Sequence, residues 1–130
     1  MRRLAQLSLL VSDYEAGIDF FCRQLGFDLL EDTDLGSGKR WVRVAPKGAE
    51  TAFLIAKATT PEQTAAIGNQ GGGRVWLFLE TDDFARDHAA MQAAGIAFEE
   101  APRHEPYGTV AVFADPFGNR WDLIEFRATA

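Results

Sequence analysis

The sequence predicts an α+β fold of two paired βαβββ modules, their strands forming a curved mixed sheet around a cavity. Three observations predict it. Apolar stretches of strand length open each half, at Leu4–Val11 and Arg74–Thr81. A capped helical stripe closed by glycine follows each of them, ending at Gly26 and at Gly95. Three more strand-like segments then follow each helix.

The elements can be justified in order. Leu7, Leu9 and Val11 share one side of the first strand, and Gln6, Ser8 and Leu10 share the other. That alternation gives one strongly apolar face and one mixed face. Ser12 with Glu15 three residues on is a capping-box pattern. Tyr14, Ile18, Phe21 and Leu25 recur at helical spacing, with Phe20 widening the stripe, so a helix is expected over about residues 13 to 25. Strands are expected at Phe27–Glu31, Trp41–Val44 and Thr51–Ala56, with turns at 34–39 and 46–48.

The middle reads differently. Thr60, Pro61 and Gln63 offer an N-cap, a proline at the first helical position and a capping-box glutamine. A short helix to about Ile67 follows, then a flexible connector over Gly68–Gly73. In the second half Asp82 and Asp83 supply capping groups, and Phe84, His88 and Met91 make the helical stripe. Strands are expected at Ile96–Glu99, Thr109–Ala114 and Arg120–Phe126. Pro102–Gly108 reads as a loop, 115–119 as a turn, and Glu99–Glu100 as a solvated strand end.

The two halves repeat in element order and apolar spacing. Asp13 and Asp83, Tyr14 and Phe84, Ile18 and His88, and Phe21 and Met91 all lie 70 residues apart. Neither half, at about 60 residues, holds a comfortable core alone. The expected organisation is one domain over 1–130: module one at 1–57, a linker at 58–73 and module two at 74–130.

Composition excludes several partners. The chain of 130 residues carries a formal charge of -6, which repels phosphate backbones, so nucleic acid is not expected. No apolar run reaches the roughly 18 residues of a membrane helix. The single cysteine, Cys22, cannot form an intrachain disulfide and suits a reducing, cytoplasmic setting. A hydrophobic content of 47% argues for a folded domain.

An ordered set of segments then resembles a known superfamily. Its carriers are Val11-Ser12-Asp13, the helix running through Phe20-Phe21 to Leu25-Gly26-Phe27, the stretch 80–84, the exit at Ala94-Gly95-Ile96 and the turn Asp115-Pro116-Phe117-Gly118-Asn119. The chain resembles the vicinal oxygen chelate proteins: glyoxalase I, bleomycin-resistance proteins, fosfomycin-resistance transferases and extradiol dioxygenases. The resemblance implies a small-molecule cavity and, by family habit, a homodimer. Metal-dependent members hold one divalent ion through the first and last strands of each module. Carried over, those positions are Gln6, Leu54, Trp76 and Asp122. Leucine has no lone pair and indole only donates, so the set is poor for a hard metal. If a metal binds, Gln6 and Asp122 would ligate it, with Glu80 or Glu50 as the nearest further carboxylates.

Strand parity supplies the remaining cavity candidates: Ser8 beside Gln6, Phe78 beside Trp76, and Trp41 with Arg43, since Val42 and Val44 look like core. Tyr107 joins them from the loop at His104–Tyr107. The favoured reading is a glyoxalase/bleomycin-resistance-like protein binding a small organic ligand in an aromatic-lined cavity, with no cofactor and without the usual metal. The alternative is a metal-dependent lyase or dioxygenase of the same superfamily. His88 reads as a packed helix residue, His104 as a loop residue and Cys22 as structural or incidental.

Overall fold

The computed structural model describes residues 1–128. They form two compact units, Met1–Ile67 and Gly68 onward. The first holds β1 (Gln6–Val11), α1 (Tyr14–Ile18), β2 (Asp28–Gly36), β3 (Lys39–Ala45), β4 (Ala52–Lys57) and α2 (Pro61–Ala66). The second holds β5 (Val75–Glu80), α3 (Phe84–Ala93), β6 (Ala97–Phe98), β7 (Arg103–Glu105), β8 (Gly108–Ala114) and β9 (Arg120–Phe126). The fold class is α+β with one mixed sheet in each unit and no closed barrel.

The two sheets share a plan. The first has the order β1-β4-β3-β2, and the second β5-β9-β8-β6, with β7 also on β8. In each unit the first strand pairs in parallel with the last, and the other pairings are antiparallel. The repeat extends to the caps. Asp13 accepts from the Ala16 N–H at 3.0 Å, and Asp83 from the Arg86 N–H at 3.1 Å. Each satisfies an amide that the first helical turn leaves without a partner.

In the first unit, Leu9, Val11, Val42, Val44 and Ile55 are buried on the helix-facing side of the sheet. Gly17 allows the close packing, since a Cβ there would lie 2.9 Å from Ile55 Cγ2. The helix differs from the expected regular one. After Ile18 it widens into a π-helical segment over Asp19–Gln24, closed by the Leu25 N–H bonding Phe20 O at 2.8 Å. Consecutive Phe20 and Phe21 both end up buried, in edge contact at 5.0 Å. Phe21 also stacks on Phe53 at 6.1 Å.

Three further expectations need correction. β2 continues to Gly36, so the turn shrinks to Ser37-Gly38, both with positive φ, the geometry that two-residue hairpins favour. Second, the glycine connector is built rather than loose. A Cβ on Gly68 would fall 2.0 Å from Phe117 O, and one on Gly71 2.7 Å from Trp76 Cβ. Glycine is required there for close approach.

Third, the strand expected over 96–99 is short, and a further strand, β7, appears inside the expected loop. Pro102, which lacks an N–H, falls in the break between them. Glu100 fills the interrupted ladder with its side chain, accepting from the Val112 N–H at 2.9 Å and from Arg103 Nε at 2.7 Å. It is therefore not a solvated strand end.

The turn at 115–119 is held by one carboxylate. Buried Asp115 accepts from the N–H groups of Phe117 and Asn119, from Asn119 Nδ2 and from Trp121 Nε1, at 2.9 to 3.1 Å. Trp121 anchors the second core and stacks on Phe113 at 5.6 Å.

Candidate functional site

Parity decides which side of the first sheet is available. The helix covers the face that carries Leu9 and Ile55. Ser8 pairs with Leu54, and Leu54 with Arg43, on the other face. A cleft of about 850 Å³ opens there, within the first unit. Its floor is Ser8, Leu10, Leu54 and Ala56, and Trp41 of β3 forms a wall. The β2–β3 turn makes one lip, and Lys57, Thr59 and Gln63 make the other. The structure thus brings Ser8, Trp41 and Leu54 together. Gln6 and Arg43 lie farther along the same face, where Arg43 Nε donates to Gln6 Oε1 at 2.9 Å.

The electrostatics of the cleft are uneven. Arg40 forms a bidentate pair with Asp32, at 3.1 and 2.6 Å, and bonds Glu15 at 2.7 Å. Its guanidinium also lies over the Tyr14 ring, 5.4 Å from the centroid. Hydrogen bonding to Arg40 holds the Asp32 carboxyl below its ordinary range. Lys39 and Lys57, also on the cleft, make no ion pair among the described residues.

The second unit carries the other predicted positions. Phe78 pairs with Asp122, and Asp122 with Val112, on the sheet face opposite Leu79 and Leu123. Phe78 is 63% exposed. Asp122 is only 9% exposed, and its Oδ1 has no hydrogen-bond partner among the described residues. Burial pushes its carboxyl above the ordinary aspartate value, while the charge of Arg103 pulls it the other way. Trp76 sits at a register shift between Val75 and Leu77, beside Gly71. Tyr107 is exposed in the β7–β8 turn.

The histidines and the cysteine are not gathered into a reactive group. His88 is half-buried, stacked on Phe84 at 5.3 Å and tilted against Phe98 at 4.4 Å. His104 Nδ1 lies 3.3 Å from Thr109 Oγ1. Burial raises the Cys22 thiol, the opposite of what activates a nucleophile.

The metal positions can be tested on donor chemistry. The Gln6 oxygen accepts from a cationic guanidinium, and Leu54 and Trp76 offer no lone pair. Glu50, in the turn before β4, and Glu80, at the end of β5, are both exposed. No three His, Cys, Asp or Glu side chains gather as a metal site among the described residues.

Sequence reasoning missed Lys39, Lys57 and Gln63. Gln63 was legible only as a cap, and its side chain does serve the helix start, accepting from Thr59 N–H at 2.8 Å and from Thr59 Oγ1 at 3.1 Å. The lysines sit at strand ends, where alternation no longer says which side is reached.

Comparison with known proteins identifies the family and supports the fold. The family model for the Glyoxalase/Bleomycin resistance protein/Dioxygenase superfamily matches residues 3–123. An uncharacterised protein of Shewanella frigidimarina is 51% identical over 94% of this chain and 92% of its own length. TnmS3, an antibiotic binding protein from Streptomyces sp. CB03234, is 35% identical, covers 98% of both chains and superimposes with a TM-score of 0.79. A glyoxalase/bleomycin resistance protein from the same Streptomyces is 37% identical over 94% of this chain and 99% of that one, with a TM-score of 0.72. With a model match across nearly its whole length, the chain belongs to the Glyoxalase/Bleomycin resistance protein/Dioxygenase superfamily.

Proposed function

We propose that this protein binds a small organic molecule, with ring stacking on Trp41 over the floor of Ser8 and Leu54, and without a divalent metal. The carrying observation is the cleft itself: a concave, mostly apolar surface with one aromatic wall and a few polar groups at its rim. The similarity to an antibiotic binding protein supports a binding role. The absence of a metal from this reading rests on donor chemistry, since Gln6 is engaged by Arg43 and two of the four family positions lack lone pairs. Within the second unit, taken by itself, Phe78 and Asp122 on one sheet face are proposed as ligand contacts, with Tyr107 as a peripheral one. A homodimer in the cytoplasm completes the reading, on family resemblance and the single cysteine.

The test is a thermal-shift screen of aromatic compounds with elemental analysis of the purified protein. A specific ligand at 100 times its Kd should add about 2.7 kcal/mol. Trp41→Ala should abolish that gain. Stoichiometric metal, lost together with a lyase or dioxygenase activity in Asp122→Ala, would replace this reading with the enzymatic one.

A further inference from the structure

We infer that the cleft of the first unit selects aromatic anions: planar ring compounds bearing a carboxylate, sulfonate or phenolate. This rests on the cleft being the binding site. The chain as a whole is acidic, at -6, yet the cleft lining contains three cationic side chains and no aspartate or glutamate. The sign of the local surface is opposite to that of the molecule.

The cations are not equivalent. Arg40 is neutralised by Asp32 and Glu15, so it contributes structure rather than free charge. Lys39 and Lys57 have no carboxylate within ion-pair distance among the described residues, and their charge remains available to a ligand. They approach the cleft from different elements, Lys39 at the start of β3 and Lys57 at the end of β4.

Two of the neutral side chains, Trp41 and Gln63, have the same bias. Indole N–H is a donor only. The Gln63 oxygen already accepts from both the N–H and the hydroxyl of Thr59, so the amide nitrogen is what Gln63 has left to offer. A rim of donors with a positive field is complementary to a ligand whose oxygens accept and carry negative charge. A cationic aromatic compound would meet repulsion from the two unpaired lysines.

The experiment uses two dyes with one ring system. 8-Anilinonaphthalene-1-sulfonate carries a charge that N-phenyl-1-naphthylamine lacks. Fluorescence titration of both, at low and at physiological salt, gives the ratio of their affinities. The Lys39→Gln/Lys57→Gln double variant should shift that ratio about tenfold against the sulfonate at low salt, with a smaller shift as salt rises. Both lysines are exposed, so the variant keeps the packed core. Trp41→Leu should weaken both dyes alike. An unchanged ratio in the double variant overturns the charge selection while leaving the cleft as a binding site. Unchanged affinity of both dyes in Trp41→Leu overturns the cleft reading itself.

Discussion

Arg43 donates its Nε to the side-chain oxygen of Gln6 at 2.9 Å, joining β3 to β1 across β4. A family metal site would need that oxygen. With a guanidinium already on it, a divalent cation would have to displace a charge-assisted bond and then sit beside a positive charge. Dialysis against EDTA should therefore shift the thermal midpoint by less than about 1 °C. A fall of several degrees, reversed by adding zinc or manganese, would contradict this.

Asp122 predicts a pH dependence. Burial raises its folded carboxyl above the ordinary value, so the folded chain holds that proton more tightly than the unfolded one. This contribution to stability falls as pH rises from the unfolded value, about 3.9, through the higher folded one, and stays lost above it. Asp122→Asn should accordingly stabilise the protein at pH 7 by about 1 kcal/mol, with the gain vanishing below the unfolded value. Urea titrations of both proteins at pH 7 and pH 3.5 measure it, and a loss of stability at pH 7 would refute it.

Asp115 is the opposite case, a buried carboxylate with every contact made. Removing it strands the Trp121 N–H and the Asn119 amide in a dry interior. Asp115→Ala should cost about 3–5 kcal/mol, because it leaves several buried donors unsatisfied at roughly 1–3 kcal/mol each. A midpoint in chemical denaturation close to that of the wild type would show that the turn is held by something else.

Gly17→Ala tests the packing of α1. Alanine normally favours a helix interior over glycine by about 1 kcal/mol. Here its Cβ would lie 2.9 Å from Ile55 Cγ2, inside contact distance. Overpacking of this kind costs about 1–3 kcal/mol, so the net effect should be destabilising. Equilibrium unfolding decides the sign.

Much of the fold was legible because it depends on short-range rules. Alternation alone separated Val42 and Val44, which are buried, from Trp41 and Arg43, which are not. The caps at Thr60 and Asp83 followed from which side chains reach an amide three residues ahead, whereas at the first helix the capping-box pattern pointed to Ser12 and the cap is Asp13. The π-helical segment was not legible, because the pattern Tyr14, Ile18, Phe21 suits ordinary helical spacing equally well. The widened turn buries Phe20 and Phe21 together, with Phe21 packed on Phe27 and Phe53 and Phe20 edge-on to Phe21.

By itself, the sequence determined the order of the main elements, β7 and the π-helical segment apart, the duplicated plan and the sides of the strands, since each rests on periodicity within a few residues. Only the tertiary structure decided the chemistry of the site. Gln6 and Arg43 are 37 residues apart in the chain, and Arg40 lies 25 residues from Glu15. Which oxygen is engaged, and which cation remains unpaired, depends on distances that exist only after the strands have paired. Coulomb and hydrogen-bond energies change over ångströms in space, and separation along the chain says little about them.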